Sequence, residues 1–171
     1  KIMADKVDLA EILSDRDGLR AMPEGSLADR YIKFTDEAMV GAADLIEAER
    51  QANVRILNVE PNRRRFISSG IQLHDIWHVL CGYGRDALGA ACILEFTYGQ
   101  LNTRGLAMFA VLLGFRERIL WPRVPIGKCL KEARRIGQNA EWLVAQDWRE
   151  LLPMPFEEVR ARMKIERPVI Y

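Results

Sequence analysis

Both histidines of the chain lie in one ten-residue stretch, Leu73-His74-Asp75-Ile76-Trp77-His78-Val79-Leu80-Cys81-Gly82, which constrains the fold more than any other. In a helix each residue turns the side chain by about 100°, so with His74 at the origin His78 falls at about 40°, Gly82 at about 80° and Asp75 at about 100°. Two imidazoles, a carboxylate and a side-chain-free gap then share one arc. Leu73, Ile76, Trp77 and Leu80 fill most of the opposite arc. A helix with an apolar back and a His/Asp front is predicted to be buried on both sides. Polar groups buried that way need partners, and a metal ion is one such partner. The spacing admits a metal site, an acid–base pair, or histidines held by ordinary hydrogen bonds. It is not the His-Glu-x-x-His of a metalloprotease, because Asp75 stands at the glutamate position with a shorter reach.

The remaining pattern is helical throughout. Ile2, Val7, Leu9, Ile12 and Leu13 predict an amphipathic helix over 2–15, broken by Asp17-Gly18 and Pro23-Glu24-Gly25. Ser26 is placed to cap a helical stretch from Leu27 to about Asn53, with a seam near Phe34-Thr35-Asp36. Gly82-Tyr83-Gly84 ends the His/Asp helix, and Asp86 caps a small-residue-rich helix over 87–101. A helix over about 104–120 carries Met108, Phe109, Val111, Leu112, Leu113 and Phe115 almost all round, which suits either deep core or the wall of an apolar cavity. Pro125 opens a helix to about Ala145 with Lys128, Lys131, Arg134 and Arg135 on its outer side, and 156–163 forms a short last helix. No run alternates β-branched residues, and there is no repeat or low-complexity linker. The expected fold is all-α, a single domain over 1–171 built as a bundle of about seven helices.

A chain of 171 residues is long enough to bury a substantial core. Its net charge of +1, with no interleaved basic and aromatic run, argues against nucleic acid as a partner. Three consecutive arginines, Arg63, Arg64 and Arg65, read either as solvated surface or as a clamp for phosphate or carboxylate. Cys81, Cys92 and Cys129 make no Cys-x-x-Cys pair and leave one over, which predicts buried thiols in a reducing compartment. The first twenty residues are too acidic for a transit peptide and lack the apolar core of a signal peptide, while the start at Lys1 admits further residues upstream. The apolar run Gly105–Phe115 is shorter than the roughly 20 residues a spanning helix needs.

His74-Asp75-Ile76-Trp77-His78, then Gly82, then Leu88-Gly89 together resemble the signature of the coenzyme Q biosynthesis protein 4 family. Asp147-Trp148-Arg149-Glu150-Leu151-Leu152 and Pro155-Phe156-Glu157-Glu158-Val159-Arg160 resemble the closing segment of the same family. The resemblance implies an all-helical protein with an apolar lipid slot, acting on polyprenylated benzoquinone precursors. It implies loss of the ring carboxylate at C1 with replacement by hydroxyl, and the organising of other ubiquinone biosynthesis proteins at a membrane surface. It also implies a metal site, zinc or another divalent ion, on the motif's His, Asp, His and Glu. Here the fourth ligand position is Ala90, leaving His74, Asp75 and His78. Glu95 stands about 140° round the helix from Ala90 and is expected not to replace it.

Two readings follow. In one, the chain is a metal-assisted decarboxylase of a polyprenylated hydroxybenzoate, with His74, Asp75 and His78 as metal and catalytic set. Arg63, Arg64 and Arg65 would hold the carboxylate, Gly82 would allow close approach, and Met108 and Leu112 would line the slot. In the other, it is a non-catalytic scaffold that binds the prenylated aromatic acid or quinone intermediate. Either would contact a membrane peripherally, at the bacterial inner membrane from the cytoplasm or the mitochondrial inner membrane from the matrix, and a homodimer is plausible by analogy. A phosphohydrolase of the His-Asp type is set aside, because that site needs another histidine upstream.

Overall fold

The computed structural model describes residues 12–13, 15–39, 74–102, 108, 110–111, 114–115, 117, 119 and 122–171. Among these the regular structure is all-α: α1 is Arg16–Arg20, α2 is Leu27–Met39, α3 covers 74–81 and α4 is Ala87–Leu101. Then come helical positions between 108 and 119, α5 at Ile126–Asn139, a 3-10 turn at Leu143–Ala145, α6 at Trp148–Leu151 and α7 at Phe156–Arg162. The chain divides into two compact units, one of Lys1–Ile76 with Asp147–Phe156 and one of Trp77–Gln146 with Glu157–Tyr171.

In the first unit the start of α2 shows why a helix begins there. The first N–H groups of a helix have no partner within it. Ser26 Oγ accepts from Asp29 N–H at 3.2 Å, as its position predicts. Leu27 and Ala28 N–H donate to the carbonyls of Met154 and Leu152 at 3.0 and 2.9 Å, so the segment around α6 supplies the missing acceptors. Leu27, Ala28, Leu151 and Leu152 are buried there, and Arg30 lies 5.5 Å over the Phe156 ring.

Two expectations are corrected in this unit. Asp17-Gly18 is not a break: Asp15 accepts from Gly18 N–H and caps α1, which contains both residues. The seam at Phe34-Thr35-Asp36 is absent, because α2 runs through it and Thr35 Oγ donates back to the Ile32 carbonyl instead of capping a new helix. Arg16 binds Thr35 at 3.2 Å and pairs with Asp36, fastening α1 to that stretch. The expected helix over 2–15 lies almost wholly outside the described residues, as do 41–53 and Arg63, Arg64 and Arg65.

The second unit is built on α4 against α5. Gly137 approaches so closely that a Cβ there would stand 2.3 Å from the Phe96 carbonyl oxygen, and one at Gly99 would stand 2.6 Å from that of Arg134. Gln100 bridges the far end: its amide N–H donates to the Gly137 carbonyl at 2.7 Å and its oxygen accepts from Leu143 N–H at 3.1 Å. That bridge explains a third correction. α5 stops at Asn139 rather than near 145, with Ala140 extended and Glu141 N–H donating to the Met163 carbonyl at 2.9 Å. Arg134, expected on the outer side, is half-buried and pairs with the buried Glu95 at 2.7 Å. Cys81, Cys92 and Cys129 are free and buried, and burial pushes all three thiols up, so they act as small apolar side chains.

Candidate functional site

α3 places the motif. His78 is buried at 4% exposure, whereas His74 and Asp75 are half-buried. The helix ends at Gly82, whose N–H bonds the His78 carbonyl at 2.9 Å and whose φ of +76° is a left-handed conformation that favours glycine. Gly82 therefore has a structural use at the helix end, as the sequence pattern predicts.

The turn that follows reaches back to the motif. His78 Nδ1 lies 3.0 Å from the Tyr83 carbonyl oxygen. A carbonyl only accepts, so Nδ1 carries the proton. This is the arrangement by which a ligating or proton-accepting histidine is usually oriented. Tyr83 is buried, its ring meets that of Tyr171 edge-on at 5.1 Å, and burial pushes its phenol up.

α4 is tied to the same turn. A Cβ at Gly89 would stand 2.1 Å from the Gly84 carbonyl oxygen, so the Leu88-Gly89 pair of the motif serves a backbone–backbone approach. Asp86 caps α4 as predicted, accepting from Leu88 and Gly89 N–H at 3.0 Å each. Tyr171 hydroxyl donates to the other Asp86 oxygen and accepts from Gly84 N–H at 3.0 Å. Partial burial works against the Asp86 charge, but the bonds from Tyr171, Gly89 and Leu88 outweigh it and hold the carboxyl below its ordinary value. The same burial, with the bond to Asp86, pushes the Tyr171 phenol up to about 12.

A depressed carboxyl stabilises the fold above its unfolded pKa, and that contribution is lost as pH falls through the folded value. Asp86→Ala is therefore expected to flatten part of the acid limb of the stability curve. The lost cap should also cost about 1 kcal/mol at neutral pH. Urea denaturation of both proteins across acid pH measures this, and parallel curves would contradict the assignment.

Ala90 is half-buried in the first turn of α4, where its N–H bonds the Asp86 carbonyl at 2.9 Å. Glu95 accepts a hydrogen bond from Arg134 at 2.7 Å. Among the described residues no three His, Cys, Asp or Glu side chains form a group that could hold a metal ion. Met108 is 60% exposed, and Leu112 lies outside the described side chains.

Residues 1–169 match the family described as Coenzyme Q (ubiquinone) biosynthesis protein Coq4. The chain belongs to the Coq4 family. It is 27% identical to the ubiquinone biosynthesis protein coq4, mitochondrial, of Penicillium rubens over 98% of this chain and 56% of that protein. It is 25% identical to the Schizosaccharomyces pombe protein of the same name over 97% of this chain and 58% of that one. The chain thus spans little more than half the length of these Coq4 relatives. In fold it resembles a crystal structure of a Nostoc punctiforme protein provisionally named for ubiquinone biosynthesis, with a TM-score of 0.63 at 19% identity over 94% of this chain and 76% of that one.

Two features of this Coq4 chain were beyond the sequence reading. One is Tyr171, which contacts the turn from 87 residues away and carries no local signal of doing so. The other is Arg160, buried at 6% exposure, whose guanidinium is pulled down by that burial.

Proposed function

We propose that this chain works in ubiquinone biosynthesis by binding a polyprenylated aromatic acid or quinone intermediate and presenting it to other proteins of the pathway at a membrane surface. Family membership supports the pathway, and one observation supports the binding role. Met108, Val111, Phe115 and Ile119 are 60, 55, 64 and 66% exposed, while Ala110, Gly114 and Glu117 are buried. At helical spacing the four exposed residues fall within an arc of about 80°. A stripe of large apolar side chains facing outward does nothing for the core and suits an isoprenoid chain or the acyl region of a bilayer. Among the described residues no helix is long and apolar enough to cross a membrane, so such contact would be peripheral.

The decarboxylase reading, with loss of the C1 carboxylate of a polyprenylated hydroxybenzoate, is favoured by a different observation. The His78 ring is oriented by the bond from Nδ1–H to the Tyr83 carbonyl, the usual second contact of a histidine whose other nitrogen serves a proton or a divalent ion such as zinc. His74 and Asp75 would be the other donors, and Ala90 is the position that departs from the family pattern.

Organic extracts of the purified protein, read by mass spectrometry, are expected to contain an isoprenoid chain. Phe115→Asp is expected to lower both that content and binding to lipid vesicles by at least about tenfold, since burying a phenylalanine contributes roughly 2 kcal/mol. Absence of any isoprenoid, with vesicle binding equal in both proteins, would overturn the reading. A change in oligomer size with vesicle binding intact would assign the stripe to a homodimer instead.

A further inference from the structure

We propose that Tyr171 is a positioning residue for His78, holding the turn after α3 so that the Tyr83 carbonyl receives Nδ1–H and orients the ring. The inference deepens the functional reading of the motif and rests on His78 being its working nitrogen. The chain of contacts is short. His78 Nδ1–H donates to the Tyr83 carbonyl at 3.0 Å. Tyr83 lies beyond the helix end, past the left-handed Gly82, so the helix backbone does not hold its carbonyl in the α3 ladder. What fixes it is the far segment. Tyr171 packs edge-on against the Tyr83 ring at an interplanar angle of 83°, accepts from Gly84 N–H and donates to Asp86. One hydroxyl thereby ties the turn to the cap of α4.

The segment carrying Tyr171 is itself anchored. Val169 and Ile170 N–H donate to the two carboxylate oxygens of Glu132 at 3.1 and 3.0 Å, and Glu132 is 9% exposed. Val169 and Ile170 side chains, by contrast, are 88 and 39% exposed. Burial of those side chains therefore contributes little to seating the segment; its backbone bonds to a buried carboxylate and its tyrosine do so. An apolar tail packed only for core volume would show the reverse pattern. The arrangement suits a clamp on the turn, and the group on the far side of that turn is His78.

The imidazole tautomer reads this directly. The chain has only two histidines, so ring nitrogens labelled with nitrogen-15 give two sets of signals, assigned with a His74→Gln variant. At a pH well above the ordinary imidazole pKa, His78 is expected in the Nδ1–H form. Tyr171→Phe keeps the ring packing and removes both hydroxyl bonds. It is expected to move the tautomer ratio toward Nε2–H by about threefold to tenfold, the equilibrium equivalent of one net hydrogen bond. Tyr171→Ala is expected to move it further, while Lys33→Ala, which removes the pair with Asp29 in the first unit, leaves it unchanged. A merely structural role for Tyr171 would lower stability without moving the ratio. Folded Tyr171→Phe protein with an unchanged His78 ratio overturns the proposal. No substrate, lipid or metal enters this measurement, so its outcome is independent of the ubiquinone reading.

Discussion

Gly137→Ala is expected to destabilise the second unit by about 2 kcal/mol, measured as a fall in the urea midpoint at unchanged slope. The added methyl would stand 2.3 Å from the carbonyl oxygen of Phe96 and 3.0 Å from its carbonyl carbon. Those are backbone atoms inside α4, so relief requires the two helices to part rather than a side chain to turn. Overpacking of this kind costs up to about 3 kcal/mol or more, against a gain of about 1 kcal/mol in helix propensity from replacing glycine. The contact wins. Gly127 provides the contrast on the same helix, because a Cβ there meets nothing within 4 Å. Gly127→Ala should leave stability unchanged or raise it by up to about 1 kcal/mol. Equal effects at the two positions would contradict the close approach of α4 and α5.

Ala90→Glu is expected to give the largest functional change. The resemblance of the motif would place a glutamate ligand at this position, beside His74, Asp75 and His78 as the proposed donors. A carboxylate contributing even about 1.4 kcal/mol tightens metal binding tenfold. Zinc content after dialysis should therefore rise from well below one ion per chain toward one in the variant. Turnover of a prenylated hydroxybenzoate, if it appears only in the variant, assigns the native chain to the binding role. Equal zinc content in the two proteins would show that Ala90 is not what limits the site.

Local chemistry made several parts of the fold legible. Ser26 and Asp86 cap the helices that follow them, Gly82 ends α3, and α4 occupies Ala87–Leu101, because each signal sits within a few residues of its effect. The misread parts depended on distant partners. α5 ends at Asn139 with no glycine or proline following it; the Gln100 amide and the Met163 carbonyl take up the groups at its end. Arg134 looked solvated until Glu95, 39 residues away, turned it inward. Helical spacing marked 104–120 as apolar nearly all round but could not say which side stays open, and the structure turns Met108, Val111, Phe115 and Ile119 outward. The motif's residues were legible from the start. The bond that selects the tautomer of His78 was not, because it depends on a turn clamped by Tyr171 from the far end of the described chain.

The most direct measurement of the central claim is the ubiquinone content of source cells from which this chain has been removed. The account predicts a marked fall in ubiquinone with build-up of a polyprenylated aromatic intermediate, reversed by the native chain and reversed poorly by Phe115→Asp. Normal ubiquinone content without the chain, and no accumulated intermediate, would contradict it.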